Sequence, residues 1–376
     1  MGVELRPFGV ACNLACTYCY QNPMRDAGNL RQAYDMGKMK AALDRAAQPF
    51  TLFGGEPLLM RMEELDEIFA YGLEKFGANS IQTNGALITD AHIELFRRYK
   101  VSVGVSIDGP GALNDVRVDR KRSRTRDTTA KIEANIARLV REYQAPGLIV
   151  TLHRGNASAE HLPRMFAWMR ELDALGIRSA RLHVLEVEDD SAARGLVLSA
   201  RENVEALLGF ARLQGELKGL RFDVVEEMKA LLLGDEKRAS CVWRACDPYA
   251  TRAVRGIEGN GQSSNCGRTN KDGIDYLPAD RHGNERGLAL YHTPEADGGC
   301  GGCRFFLMCT GQCPGTAIEG DWRNRSEHCG IWKYLFAVLE RDLIRAGQVP
   351  LSIHPGRKER EAAVVRQWTA GAMVEI

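Results

Sequence analysis

The stretch Cys12-Asn13-Leu14-Ala15-Cys16-Thr17-Tyr18-Cys19 sets three thiols in the spacing C-x3-C-x2-C. It follows directly on Leu5–Val10, a short run bounded by turn residues that reads as a strand. A loop of this kind wraps three thiolates round one small site. A structural zinc takes four ligands, and the first histidine of the chain is His92, so zinc needs a fourth ligand from far away. A four-iron cubane fits differently, because three thiolates leave one iron open. Buried free cysteines are the bland alternative, ill suited to so dense a cluster beside Tyr18 and Tyr20.

Outward from this loop, short β-rich runs alternate with longer amphipathic ones. The strand expectations are residues 50–53, 80–83, 101–107, 148–152 and 180–187, after the first at 5–10. Helices are expected over residues 60–76, 91–99, 128–143 and 159–175; in the first of them Met62, Leu65, Ile68, Phe69, Leu73 and Phe76 share one face. Such alternation argues for an α/β fold with a parallel sheet, and six units suggest a partial (β/α)6 TIM-like barrel. Chemistry in such sheets collects at the carboxyl ends of the strands, which is where the cysteine loop lies. Ser199-x-x-Glu202 reads as a capping box opening a helix at 200–214, with another at 224–233. From Ala239 to about Gly330 periodicity fades and glycine and cysteine dominate, a region that bound metal would have to hold. The expected domains are a barrel over 1–198, a helical linker over 199–238, a cysteine-rich domain with a closing helix over 239–346, and a tail over 347–376.

The chain has 376 residues, 44% hydrophobic and 26% charged, with a net charge of +1. That is ordinary for a globular protein and gives no general attraction to nucleic acid or to a membrane surface. No run approaches a membrane span or a signal peptide, so a cytoplasmic location is expected, where clustered cysteines read as metal ligands.

Of the eleven cysteines, eight lie between Cys241 and Cys329. Five form Cys300-x2-Cys303-x5-Cys309-x3-Cys313-Pro314, with Cys329 downstream; Cys241, Cys246 and Cys266 complete the eight. Two sets of four leave no cysteine over. In ferredoxin-like runs the last cysteine before a proline serves the other cluster, which singles out Cys313. A pair of four-thiolate zincs is the competing reading.

The triplet CNLACTYCY resembles the signature of radical S-adenosylmethionine enzymes, with Tyr18 as the aromatic residue before the third cysteine. Gly54-Gly55-Glu56-Pro57 resembles the GGEP element of that family, and Val105-Ser106-Ile107-Asp108-Gly109 resembles its S-[IL]-D-G element; Thr83-Asn84-Gly85 matches a recurrent TNG turn. The resemblance implies a [4Fe–4S] cluster on Cys12, Cys16 and Cys19, whose open iron binds S-adenosylmethionine. Reductive cleavage then gives methionine and a 5′-deoxyadenosyl radical that takes hydrogen from substrate. It further implies cofactor contacts from Tyr18, Gly54, Gly55, Glu56, Pro57, Asn84, Ser106 and Asp108, with Arg117 chosen by position for the methionine carboxylate. Glu56 is expected to form an anionic lip. The second block is similar to the SPASM extension, with Cys246, Gly261 and Cys266 standing for C-x(9–15)-G-x4-C. That likeness implies two auxiliary [4Fe–4S] clusters, one on Cys241, Cys246, Cys266 and Cys313, the other on Cys300, Cys303, Cys309 and Cys329.

Enzymes with this extension most often oxidise ribosomally made peptides or proteins, through cross-links, thioethers or conversion of a serine or cysteine in a sulfatase. A peptide maturase is the reading; a small-molecule radical dehydrogenase or epimerase is the alternative, and a non-enzymatic electron carrier a further one. Sulfatase-maturing members carry an aspartate after the last cysteine of G-x4-C, where this chain has Gly267. The first strand begins almost at once, so a separate leader-binding protein is an expected partner, with flavodoxin or ferredoxin as electron donor. The basic run Arg120-Lys121-Arg122-Ser123-Arg124-Thr125-Arg126 reads as a solvated face or a dock for an acidic peptide. His153, His183 and Glu186 close the fifth and sixth strands as candidates for proton handling or, more plainly, as core residues. Asp247, Tyr249 and Arg252 flank Cys246, and Trp322 and Trp332 are expected to pack near Cys329.

Overall fold

A computed structural model describes residues 2–26, 33–187, 192–237, 239–250, 255–268 and 283–372. Its strands are β1 (Val3–Arg6), β2 (Phe50–Leu52), β3 (Asn79–Thr83), β4 (Val101–Ser106), β5 (Gly147–Leu152), β6 (Ser179–Val184), β7 (Arg221–Phe222), β8 (Arg255–Glu258) and β9 (Ser263–Ser264). They form one sheet in the order β7-β6-β5-β4-β3-β2-β1-β8-β9. All neighbours are parallel except β8 and β9, which are antiparallel. The expected six β/α units are present: helices Met36–Ala46, Met62–Phe76, Asp90–Arg98, Thr125–Glu142, Leu162–Leu175 and Ala200–Gln214 each follow one of the first six strands.

Burial alternates along the strands. Ile81, Val103, Val105, Leu148, Val150, Leu152, Ala180 and Leu182 are buried, while Ser80, Gln82, Ser106, Thr151, Arg181 and His183 on the opposite face are half-buried. Side chains on a strand point alternately to the two faces, so one face takes the helices and the other stays polar. The helix Met62–Phe76 buries Leu65, Ile68, Phe69 and Gly72 against that apolar face, each large side chain contributing about 1.5–3 kcal/mol. Gly72 is required there, since a Cβ would stand 2.1 Å from Asn79 Oδ1.

The chain divides into two compact units, Gly2–Asp223 with Arg255–Asp275, and Val224–Val254 with Tyr276–Ile376. The barrel unit therefore runs past residue 198, and residues 255–275 return to it because β8 pairs with β1. Buried Arg6 on β1 forms a 2.7 Å ion pair with Glu258 and donates to Asn265 O at 2.7 Å and to Ser264 Oγ. In the second unit, Ala245, Leu290, Cys300, Phe306, Val365 and Trp368 form a core. Two of these residues lie on helix Arg357–Thr369, so the expected tail is an integral part of that unit. Arg286 organises its glycine-rich loops. Its buried guanidinium donates to the carbonyls of Cys246, Thr310, Gly311, Gln312, Trp322 and Asn324 at 2.7–3.4 Å.

Candidate active site at the carboxyl ends of the strands

Cys12, Cys16 and Cys19 lie in the loop after β1, all half-buried. Ala15 N and Thr17 N donate to Val118 O and Val116 O, at 2.7 and 2.9 Å, so residues 116–118 pin the loop from one side. From the other side, Gly55 N donates to Gly9 O and Glu56 N to Ala11 O, both at 2.8 Å. This is why position 55 is glycine: a Cβ would sit 2.0 Å from the Ala11 carbonyl oxygen. Gly54 adopts a positive φ of 122°, which also favours glycine.

Glu56 is 1% exposed and does not form an anionic lip. Its carboxylate turns inward and accepts from Leu58 N, Thr83 Oγ1 and Asn84 N at 3.0, 2.7 and 2.8 Å. Burial raises its pKa against these three donors. It caps the short turn Pro57–Leu59, which Pro57 opens. Asn84 then reaches the cysteine loop, donating from Nδ2 to Asn13 Oδ1 at 2.7 Å and toward Cys12 Sγ at 3.8 Å. The loops after β1, β2 and β3 are thus one hydrogen-bonded assembly.

The loop after β4 supplies a second assembly. Asp108 is fully buried; its carboxylate accepts from Tyr18 Oη at 2.5 Å and from Thr151 N at 2.9 Å, and Arg117 Nη1 lies 4.0 Å away. Arg117 also donates to Tyr18 Oη at 3.0 Å. Asp108 therefore holds Tyr18 and Arg117 in place, an indirect role that the motif reading did not separate from direct contact. Desolvation pushes the Tyr18 phenol well above its ordinary range, and Asp108 adds to the effect. Ser106 is half-buried and accepts from Gln82 Nε2 at 2.9 Å. His153 is fully buried. Its Nδ1 accepts from Gly155 N at 3.1 Å, while Nε2, lacking a partner among the described residues, lies 3.8 Å from Asp108. Desolvation lowers its pKa, so it is a neutral core histidine beside the site.

On the polar face of the sheet, Arg268 binds Glu186 and His183, each at 3.0 Å. Desolvation first, then Arg268 and Arg181, hold the His183 pKa well below the ordinary value. A side chain at Gly267 would meet Tyr20 Oη at 2.6 Å, so an aspartate there requires Tyr20 to move. The basic run is partly spent on structure: Arg120 Nε donates to Cys12 O at 2.9 Å, and Arg126 pairs with Asp115. Lys121, Arg122 and Arg124 are exposed.

In the second unit, Cys300, Cys303, Cys309 and Cys329 line one small cavity with Arg325 and Lys333. Burial pushes the Cys300 thiol up to about 12, with Cys329 and Cys303 adding to it, and burial also holds Cys309 well above its ordinary value. Neighbouring thiols that oppose one another's ionisation gain most from a positively charged centre that deprotonates them all. In the triplet, desolvation raises Cys16 to about 12, with Cys19 and Cys12 adding to the shift. Among the described residues no three Cys, His, Asp or Glu side chains gather as the ligands of a single ion. Trp322 packs on Tyr249 and Trp332 on Trp243, with ring centroids 4.9 and 5.4 Å apart, and neither lines the four-cysteine cavity expected to hold them close. Asp247 accepts from Arg286 N at 3.0 Å and supports the fold there. Arg252 lies outside the described residues. No helix among them is long and apolar enough to cross a membrane.

Residues 7–162 match the family described as the Radical SAM superfamily. A serine-type anaerobic sulfatase-maturating enzyme of Klebsiella aerogenes is 32% identical over 210 residues, 53% of this chain and 50% of that protein. A cysteine-type enzyme of Clostridium perfringens strain 13 is 30% identical over 187 residues, 46% and 49% of the two chains. The matched region thus spans about half the length of these curated relatives. Among solved structures, anSMEcpe with bound AdoMet and the Kp18Cys peptide superposes with a TM-score of 0.70 at 18% identity, over 92% of this chain and 98% of that one. SuiB of Streptococcus suis bound to the precursor peptide SuiA gives 0.54 at 16% identity, over 87% and 75%. At these identities the likeness establishes the α/β partial-barrel fold. Residues 7–162 are thus similar to the radical SAM superfamily, and the chain resembles anaerobic sulfatase-maturating enzymes over about half of its length.

Proposed function

We propose that this protein is a radical S-adenosylmethionine maturase that oxidises a residue in a ribosomally made peptide or protein. One observation carries the reading: Cys12, Cys16 and Cys19 are gathered at the strand ends, clamped between the Gly54–Gly55 turn and the Tyr18–Asp108–Arg117 network. Cys12, Cys16 and Cys19 would hold a [4Fe–4S] cluster, which would supply the electron for reductive cleavage of S-adenosylmethionine. The chain's own residues do the rest. Gly54 and Gly55 present backbone to the ligand, Asn84 fixes the Cys12 loop, and Asp108 orients Tyr18 and Arg117. Cys300, Cys303, Cys309 and Cys329 are the proposed ligands of one auxiliary cluster, and Cys241, Cys246, Cys266 and Cys313 of another, both serving to carry the electron left after hydrogen removal.

A peptide substrate is supported by relatives named sulfatase-maturating and by the peptides bound to anSMEcpe and SuiB. Conversion of a sulfatase serine or cysteine is disfavoured by Gly267, which stands where sulfatase-maturing members carry an aspartate, and cross-link or thioether formation is the proposed outcome. A flavodoxin- or ferredoxin-like carrier is the proposed donor, and a separate leader-binding protein the proposed peptide partner. Anaerobic reconstitution followed by assay of 5′-deoxyadenosine tests the reading. Product that needs reductant and vanishes in the C12A/C16A/C19A variant is expected; a reconstituted protein that never cleaves S-adenosylmethionine overturns it.

A further inference from the structure

Three N–H groups point at the triplet thiols among the described residues. Leu14 N stands 3.4 Å from Cys12 Sγ and Asn84 Nδ2 3.8 Å from it, while Arg25 Nη2 lies 2.6 Å from Cys19 Sγ. The third differs from the others because it carries a full charge. Arg25 sits on the short helix Asn22–Asp26, which begins just after the cysteine loop. Asn22 fastens this helix to the loop, its Nδ2 donating to Cys16 O at 3.1 Å and its N to Cys19 O at 2.9 Å. The helix turns Arg25 back over the thiols, and its charge also favours the thiolate of Cys12.

Arg25 is only 9% exposed, and its Nε has no partner among the described residues. Burying a guanidinium costs several kcal/mol unless an anion faces it. A neutral thiol gives little compensation, whereas a thiolate bound to iron keeps negative charge at the sulfur. The placement suits a Cys19 that serves as a thiolate ligand.

We propose that Arg25 is a positioning residue that sets the reduction potential of the centre held by Cys12, Cys16 and Cys19. This rests on the function proposed above. Reduction there is a one-electron exchange in which an external low-potential carrier protein loses one electron and the centre gains it, with no proton transferred. A fixed positive charge beside the sulfur stabilises the more negative, reduced state, so Arg25 raises the potential toward that of the donor. The contact is partly buried, where charges are screened less than at the open surface.

The test is an anaerobic redox titration of the reconstituted full chain, followed by the electron paramagnetic resonance signal that responds to S-adenosylmethionine. R25Q removes the charge and keeps a donor; R25K keeps the charge. In R25Q the ratio of reduced to oxidised centre at a fixed potential is expected to fall about tenfold, equivalent to 59 mV for one electron, with R25K near the parent. Iron content and melting temperature verify assembly in each. An unmoved midpoint in R25Q overturns the proposal, as does an equal fall in R25K, which would assign the effect to geometry. If R25Q loses iron, R25M serves as the neutral variant. If both neutral variants lose iron while R25K retains it, Arg25 assembles the site and does not tune it. A parent chain that holds no iron at the triplet defeats the functional reading itself, a result distinct from all of these.

Discussion

At Gly55 the absent side chain is the functional element. The Ala11 carbonyl fills the place a Cβ would take, and the same backbone contact holds the cysteine loop against the turn after β2. Gly55→Ala is expected to displace that loop, lower iron content at the triplet and reduce the melting temperature by several degrees, read by iron assay and calorimetry. Asp108→Asn keeps the side-chain size and removes the charge between Tyr18 and Arg117. Hydrogen bonds to charged groups contribute about 1.5–3 kcal/mol. Affinity for S-adenosylmethionine, measured by titration calorimetry, should therefore weaken roughly tenfold, and the melting temperature should fall because buried Arg117 loses its counter-charge. Sequence named Gly55 and Asp108 through their motifs. The inward turn of Glu56 was hidden, because a motif letter carries no side-chain direction. Arg25 and Arg286 were hidden for another reason: a lone arginine in a helical or loop segment gives no signal until the fold places thiols or carbonyls around it.

Among the elements, the helix Ala200–Gln214 shows a local rule at work. Ser199 Oγ accepts from Glu202 N at 3.2 Å, and Glu202 Oε2 accepts from Ser199 N at 2.8 Å, the reciprocal pair that the S-x-x-E pattern foretells. Ser199→Ala should cost about 1 kcal/mol in chemical denaturation. The Glu202 carboxyl is held down at about 2, by Arg154 first and then by Ser199. Because the folded value lies below the ordinary 4.5, the stabilisation is complete above that pH and is lost as pH falls toward 2. Acid unfolding followed by circular dichroism should therefore begin at a lower pH in the parent than in Glu202→Gln. The six β/α units were legible because their apolar residues repeat at helix and strand periods. Strands β8 and β9 were not, being short and built of Arg, Gly, Glu and Ser, with pairing to β1 supplying what their own pattern lacks.

Over the whole molecule, eleven cysteines resolve into three proposed sites, and iron counting checks the sum. Three four-iron clusters give about twelve irons per chain. Cys309→Ala should remove about four of them and leave reductive cleavage of S-adenosylmethionine measurable, since the cavity it lines lies in the second unit. The return of residues 255–275 to the barrel unit has a consequence for synthesis. Arg6 is synthesised well before its partner Ser264, which follows 258 residues later. At about 5–20 residues per second that is a wait of roughly 13–50 s. For that interval the first strand has one unpaired edge and a guanidinium without its carboxylate, directly beside the loop that must take up iron. The nascent chain thus passes through a stage in which the strand that leads into the cysteine loop is held from one side alone.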